Sequence, residues 1–399
     1  MDAPNRRYAR TIIVVLALAA ASCSDATVPD PATRDVQRGA DRWLAGDGSE
    51  PFKVYTQNAY VGGDTGPVLT LDFDDVPDVV AKATAFWADV QASDVPERAA
   101  SIVDRIDERR PHLVTLQEVF YFDVLDLSTG SPQVTQVVDI LADIQAEIAG
   151  RGLPYDVVAV QGNTAVGFPF DPNLPGLPLT LPPTRFLRLQ DRVAMLRRTD
   201  VEVSAVAQGN YAATFSVGPI TLRRGWIRAT TELDGTAHHV VGTHLEGQAL
   251  APIQALQAEQ LLDQIAAGLP DVTILAGDFN SDAAADPSAP SWTATYGAIV
   301  AAGYDDAWLA SGGSSKDPGY TCCQDPDLRN GTSTLDERID FVFVRDARTP
   351  QGETSGSVHV EIVGDEQADR TLTNGLWPAD HAGLVAGLRL PWGLSVGGG

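Results

Sequence analysis

From residue 52 onward, short apolar runs of strand length alternate with longer stretches of helical spacing, and this alternation narrows the possible folds more than any other feature. Segments 53–59, 112–117, 155–160, 192–197, 201–207, 227–232, 238–243, 272–276, 338–344, 358–363 and 382–390 read as strands. Segments 77–91, 96–109, 134–149 and 252–267 read as helices; in the last, Ile253, Leu256, Leu261, Leu262 and Ile265 recur near helical spacing. Many strands with helices between them predict an α/β fold, a two-sheet α/β sandwich. Two stretches break the pattern. Segment 61–76 is a Gly/Asp-rich loop. Segment 161–190 carries several prolines together with Phe168, Phe170, Leu174, Leu177, Leu179 and Leu181. A connection of that length is commonly functional. A lid packed on its own domain is the expectation, with a substrate or membrane contact as the alternative.

The N-terminus reads differently. Arg6, Arg7 and Arg10 precede an apolar run over 11–21 that ends in Ala21-Ser22-Cys23. A basic head, a short apolar core and small residues before a cut point make an export signal. The core is shorter than the roughly 20 residues a spanning helix needs. Cys23 resembles a lipobox cysteine, although Ala20 stands where such a motif prefers Leu. The expected arrangement is an export signal over 1–23, a flexible linker over 24–50, a folded domain over 51–392 and a tail over 393–399. The protein is then either a membrane-anchored lipoprotein at the cell surface or secreted. Cys322 and Cys323 are adjacent, so two buried thiols are the simpler expectation and a strained vicinal disulfide the other. No spacing suits zinc.

Charge bears on the partner. The chain has 28 basic and 53 acidic residues, a net −25. That balance opposes sequence-blind binding of polynucleotides, which depends on Lys and Arg neutralising phosphates. A local basic cleft on an acidic body would escape this argument. Arg223-Arg224 and Arg185/Arg188 are the local candidates for phosphate contacts, with solvated faces as the plainer reading. No obligate protein partner is indicated.

Polar residues gather at the predicted strand ends, where α/β scaffolds place their chemistry. Asn58 closes the first strand in Gln57-Asn58, and Gln117-Glu118 closes another. Thr243-His244 ends a third, Gly277-Asp278-Phe279-Asn280 follows the run over 272–276, Arg338-Ile339-Asp340-Phe341 opens a strand, and Asp380-His381 precedes the last. Each fragment alone reads as a turn or a cap. In this order the set resembles the endonuclease/exonuclease/phosphatase superfamily, which includes deoxyribonuclease I-like enzymes and neutral sphingomyelinases, over about 54–390. The resemblance implies Mg²⁺, with Mn²⁺ or Ca²⁺ as substitutes, held by Glu118 and Asn58 with Asp380 as a second carboxylate; hard cations prefer such oxygen ligands. It further implies that Asp278 and Asn280 orient water and phosphoryl oxygens, and that His381, paired with Asp340, serves as base or electrophile. His244, oriented by Asp191, would protonate the leaving group. Which histidine is acid and which is base stays open. A GxSxG string over 393–397 lacks a following helix and a downstream His, so it carries no hydrolase reading.

Fold and metal site do not name the ester. A sphingomyelinase-like phospholipid phosphodiester is favoured, because export, possible tethering and the apolar 161–190 segment all suit a lipid. An extracellular endonuclease is the alternative, then a phosphomonoesterase or an inactive surface binding protein. Segment 319–324 resembles a substrate-side loop, where Tyr320 either stacks on substrate or packs within the loop.

Overall fold

The computed structural model describes residues 50–171, 183–233, 235–270, 272–313, 318–346 and 357–389. The expected export signal, Cys23, the linker up to residue 49, the C-terminal tail and Leu174, Leu177, Leu179 and Leu181 lie outside the described residues. In chain order the strands are β1 (Phe52–Asn58), β2 (Leu113–Gln117), β3 (Tyr121–Asp126), β4 (Gln133–Asp139), β5 (Tyr155–Phe170), β6 (Arg185–Arg198), β7 (Val203–Asn210), β8 (Phe215–Val217), β9 (Ile220–Leu222), β10 (Gly225–Leu233), β11 (Thr236–His244), β12 (Val272–Asp278), β13 (Asp305–Asp306), β14 (Asp340–Asp346), β15 (Ser357–Val363) and β16 (Gly383–Arg389). The principal helices are α1 (Val76–Ala92), α2 (Val95–Arg109), α3 (Ile140–Gly150) and α4 (Ala251–Gln260).

Two sheets form the expected sandwich. One runs β15-β16-β1-β2-β6-β3-β4 with β5 added on β6; the other runs β13-β14-β12-β11-β10-β7. The inner faces meet in an apolar layer. Phe52, Val54, Leu113 and Met195 come from the first sheet, Ile227, Val240, Ile274, Ala276 and Val342 from the second, all nearly inaccessible. Alternation places them there, since every second residue of a strand faces inward. Helices cover the outer faces. Phe86, Trp87 and Val90 of α1 pack with Phe122 and Leu187, and Ala258 of α4 packs with Phe279, Phe341 and Phe343. The starts of α1 and α2 carry Pro77 and Pro96, suited to a first turn whose N–H groups are unpaired anyway.

Three expectations need correction. Segment 161–190 is not a loop at its described ends: β5 runs on through Phe170 and pairs with β6 from Arg185, with Pro169 opposite Phe186. Pro169 is tolerated because β5 lies off the main path of the sheet, where one edge needs no ladder donor. Phe168 and Phe170 are buried against the domain itself. Segment 134–149 is not one helix either. Its first part is β4, and the helix starts at Ile140, where the Asp139 side chain accepts from Ala142 N at 3.1 Å as an N-cap. Cys322 and Cys323 form a vicinal disulfide with Cys323 exposed, so they are not two buried thiols.

Candidate functional site

Strand pairing brings the polar ends together. β1 and β2 are parallel with Asn58 opposite Gln117, and β11 and β12 are parallel with His244 opposite Asp278. β14 runs antiparallel to β12, so its first residue, Asp340, faces Asp278. Asn58 Nδ2 donates to Asp278 Oδ2 at 3.0 Å and joins the ends of the two sheets. Gln57 Nε2 donates to the His381 carbonyl at 3.1 Å, tying the turn before β16 to β1.

The Gly-Asp-Phe-Asn turn explains its own residues. A Cβ on Gly277 would overlap the Thr243 carbonyl of the adjoining parallel strand. Phe279, fully buried, meets Phe341 and Phe343 edge-on with ring centroids 5.9 and 5.1 Å apart. That anchor leaves Asp278 and Asn280 at the strand end. Asn280 N donates to Asp278 Oδ1 at 2.8 Å, and Asn280 adopts φ 51°. Glu118 and Tyr60 also lie in the left-handed region, at φ 55° and 62°. Non-glycine residues held there store backbone strain, which concentrates where a site over-determines the chain. Arg338 turns inward onto Asp306 and the Phe341 ring, so its part in the motif is structural.

The two histidines have opposite settings. His381 Nδ1 lies 2.8 Å from Asp340 Oδ2. Burial alone would push His381 down, but Asp340, Asp380 and Asp278 outweigh it and hold the ring well above its usual value. His244 Nδ1 lies 3.1 Å from Arg224 Nη1, and its Nε2 lies 3.4 Å from Asp278 Oδ2 and 3.1 Å from Asn280 Nδ2. Burial, then Arg224 and His381, push it well down. The expectation that Asp191 orients His244 is corrected. Asp191 accepts from Asn163 Nδ2 at 3.0 Å and sits 3.7 Å from Arg224 Nη1, so Arg224 stands between them. Arg224 also donates to Glu246 Oε1 at 3.2 Å. Sequence reasoning missed Glu246 and Asn163. Glu246 had a signal, because two residues past His244 an extended chain returns to the same face.

The carboxylates crowd one another. Burial, then Asp191, raises Glu118; burial, then Asp340, pushes Asp278 up to about 7. Asp380 is pushed up to about 7 by burial, with Glu118 and Asp340 adding to it against His381. Asp380 Oδ1 and Asp340 Oδ1 are buried without a hydrogen-bond partner. Buried acids that repel one another and keep unpaired oxygens fit a hard divalent cation, which takes such oxygens as ligands. Glu118, Asp380 and the Asn58 amide suit that role. Asp278, Asp340 and His381 also bring ligand-capable atoms within 4.8 Å of one another. Within that grouping His381 Nδ1 and Asp340 Oδ2 are hydrogen-bonded to each other. Tyr320 is half-buried, beside Thr321, whose Oγ1 accepts from Ile339 N and Asp340 N at 3.2 Å.

Residues 56–381 match the Endonuclease/Exonuclease/phosphatase family. No curated protein matches the sequence. Among solved structures, truncated TDP2 of Caenorhabditis elegans is 15% identical, covering 85% of this chain and 97% of that one, with TM-score 0.47. TDP2 of D. rerio, complexed with single strand DNA product, is 16% identical over 86% and 100% of the two chains, with TM-score 0.49. An endonuclease/exonuclease/phosphatase of Beutenbergia cavernae is 21% identical over 85% and 71%, with TM-score 0.49.

Proposed function

The chain belongs to the endonuclease/exonuclease/phosphatase family, whose members are hydrolases acting on phosphoester bonds, and we propose that it cleaves a phosphodiester with a divalent cation, Mg²⁺ by preference, a phospholipid headgroup ester being the favoured substrate. The observation that carries the substrate preference is the pairing of its arginines. Arg185 sits on Asp126 at 2.8 Å, Arg188 on Asp123 at 2.6 Å and Arg224 on Glu246 at 3.2 Å. Three of the four arginines expected to track a polynucleotide backbone are therefore already matched by carboxylates, with Arg223 the exposed exception, on a chain of net charge −25. A substrate with one phosphate and a neutral or zwitterionic body avoids the resulting repulsion. An export signal and an anchor at Cys23 would hold the domain at a lipid surface.

A bound divalent cation would supply Lewis-acid polarisation of the phosphoryl oxygens. The remaining work falls to the chain. Asp278, poised near neutral pH, accepts a proton from the attacking water, and Asn58 and Asn280 fix its two oxygens. His381, charged and held by Asp340, sets positive charge beside the phosphoryl group and returns a proton to the leaving oxygen as the P–O bond breaks.

The test assays the full chain on sphingomyelin and other phospholipid vesicles, plasmid DNA, RNA and inositol phosphates, with Mg²⁺ or EDTA and with His381→Ala as control. Metal-dependent release of a phosphorylated headgroup is expected. Nicking of DNA alone would transfer the site to the endonuclease reading, and silence on every ester would overturn phosphodiester cleavage.

A further inference from the structure

The same ring atom has opposite partners in the two histidines. His381 Nδ1 faces a carboxylate, whereas His244 Nδ1 faces the Arg224 guanidinium at 3.1 Å. A guanidinium offers five N–H donors and no acceptor, and it does not deprotonate in proteins. The nitrogen facing it must present a lone pair. The single proton of a neutral ring then sits on Nε2, and a second proton has no place. Asp278 Oδ2 lies on that side at 3.4 Å. Asn280 Nδ2 approaches the same nitrogen at 3.1 Å, but it donates to the Leu245 carbonyl at 3.1 Å, which fixes its amide and leaves Asp278 Oδ2 as the acceptor on that side.

Arg224 is fixed in turn. Its Nη2 donates to Glu246 Oε1, its Nη1 approaches Asp191 Oδ2, and Asn163 holds Asp191 from behind. Asp191 Oδ1 and Glu246 Oε2 are both buried without a hydrogen-bond partner. Two buried acids of this kind, neither able to reach His244 except through Arg224, make sense as the cradle of that arginine.

We propose that Arg224 is a positioning residue that locks His244 in the neutral tautomer protonated on Nε2, so that His244 is a fixed hydrogen-bond donor to a phosphoryl oxygen and not the acid that protonates the leaving group. The role toward a phosphoryl oxygen rests on the phosphodiesterase reading; the tautomer rests on the contacts of the ring alone. Burial and the charges of Arg224 and His381 act in the same direction on His244. Glu246, Asp191, Glu118 and Asp278 surround Arg224 and hold the guanidinium charged beside the ring. The leaving-group proton then comes from His381.

The experiment reads ring ¹⁵N shifts in the full chain with labelled histidine and Mg²⁺, with His244 assigned through His244→Gln. The expected pattern is a neutral Nε2–H ring that does not titrate between pH 5.5 and 8.5. In Arg224→Met the tautomer is lost and kcat falls about tenfold to a hundredfold with KM nearly unchanged. Arg224→Lys, which keeps a charged donor, restores both. A wild-type His244 that titrates as an imidazolium or carries its proton on Nδ1 overturns the lock, and the wild-type spectrum decides even if Arg224→Met does not fold. The expected tautomer in a chain that hydrolyses no phosphodiester would sink the functional reading alone. Hydrolysis with a titrating His244 would sink the lock alone.

Discussion

Ile274 and Asp278 are four residues apart on β12, about 13 Å along the strand, and the strand acts oppositely at the two places. Ile274 is wholly buried between the sheets among apolar side chains. Asp278 is as deeply buried, but among Asp340, His381 and Asn58, and its carboxyl is pushed up to about 7. The sandwich interior stabilises the fold by removing apolar surface from water. The strand ends draw on that stability to hold like charges and left-handed backbone together. Burial alone therefore does not tell what a residue does; the chemistry of its neighbours does.

The sharpest break of this comparison is Asp278→Asn. It keeps size and the contact to Asn58 but removes the proton acceptor, and turnover is expected to fall by about 10⁴, or some 5 kcal/mol of barrier. The midpoint of thermal unfolding should stay level or rise, because a buried charge that the fold resists has gone. Turnover near wild type, or a large drop in melting temperature, would show that Asp278 belongs with the interior.

Ile274→Ala is the counterpart. Truncation leaves a cavity between two packed sheets and is expected to cost about 2–5 kcal/mol of stability, read by urea unfolding. Turnover per folded molecule should hold, since the cavity lies well away from the strand end. Activity lost in step with Asp278→Asn would mean that the two regions are mechanically coupled.

The same contrast explains what could be read from the chain. Strand ends announced themselves because Asn58, Glu118, His244, Asp278, Asp340 and His381 follow or precede apolar runs, and parallel pairing then has to bring such ends to one edge. β4 was hidden for a physical reason. Val134, Val137, Val138, Leu141 and Ile144 mimic a helical stripe, yet Val134 and Val137 are half-exposed on an edge strand. Asp139, the N-cap, was the readable boundary. Arg224 was legible as a cation near a phosphate site, but not as one turned onto His244. Its three partners come from β6, the end of β11 and the turn beyond it, and no local pattern ties those segments together.

The smallest effect sits at the far end of β2 from Glu118. His112 precedes that strand, accepts from Lys53 N through Nδ1 at 3.0 Å, and is pushed down to about 4 by burial, then by Arg198, with Glu50 opposing. The unfolded chain binds this proton near pH 6.5 and the folded chain only near 4. Between those values the unfolded state holds more protons, so stability rises with pH across the window. His112 therefore contributes fully above about pH 6.5, and that contribution fades as pH drops toward 4, by about 3 kcal/mol in all. Asp278 and Asp380 act oppositely over nearly the same range. Their folded values lie above the unfolded ones, so acidification protonates the folded state first and relieves it. Urea unfolding in EDTA at pH 7, 5.5 and 4.5 separates the two. His112→Gln should flatten the acid-side loss of stability, whereas Asp278→Asn should steepen it. Parallel pH profiles for the two variants would mean that the two ends of the sandwich do not titrate against each other, and the contrast drawn from β12 would then stop at that strand.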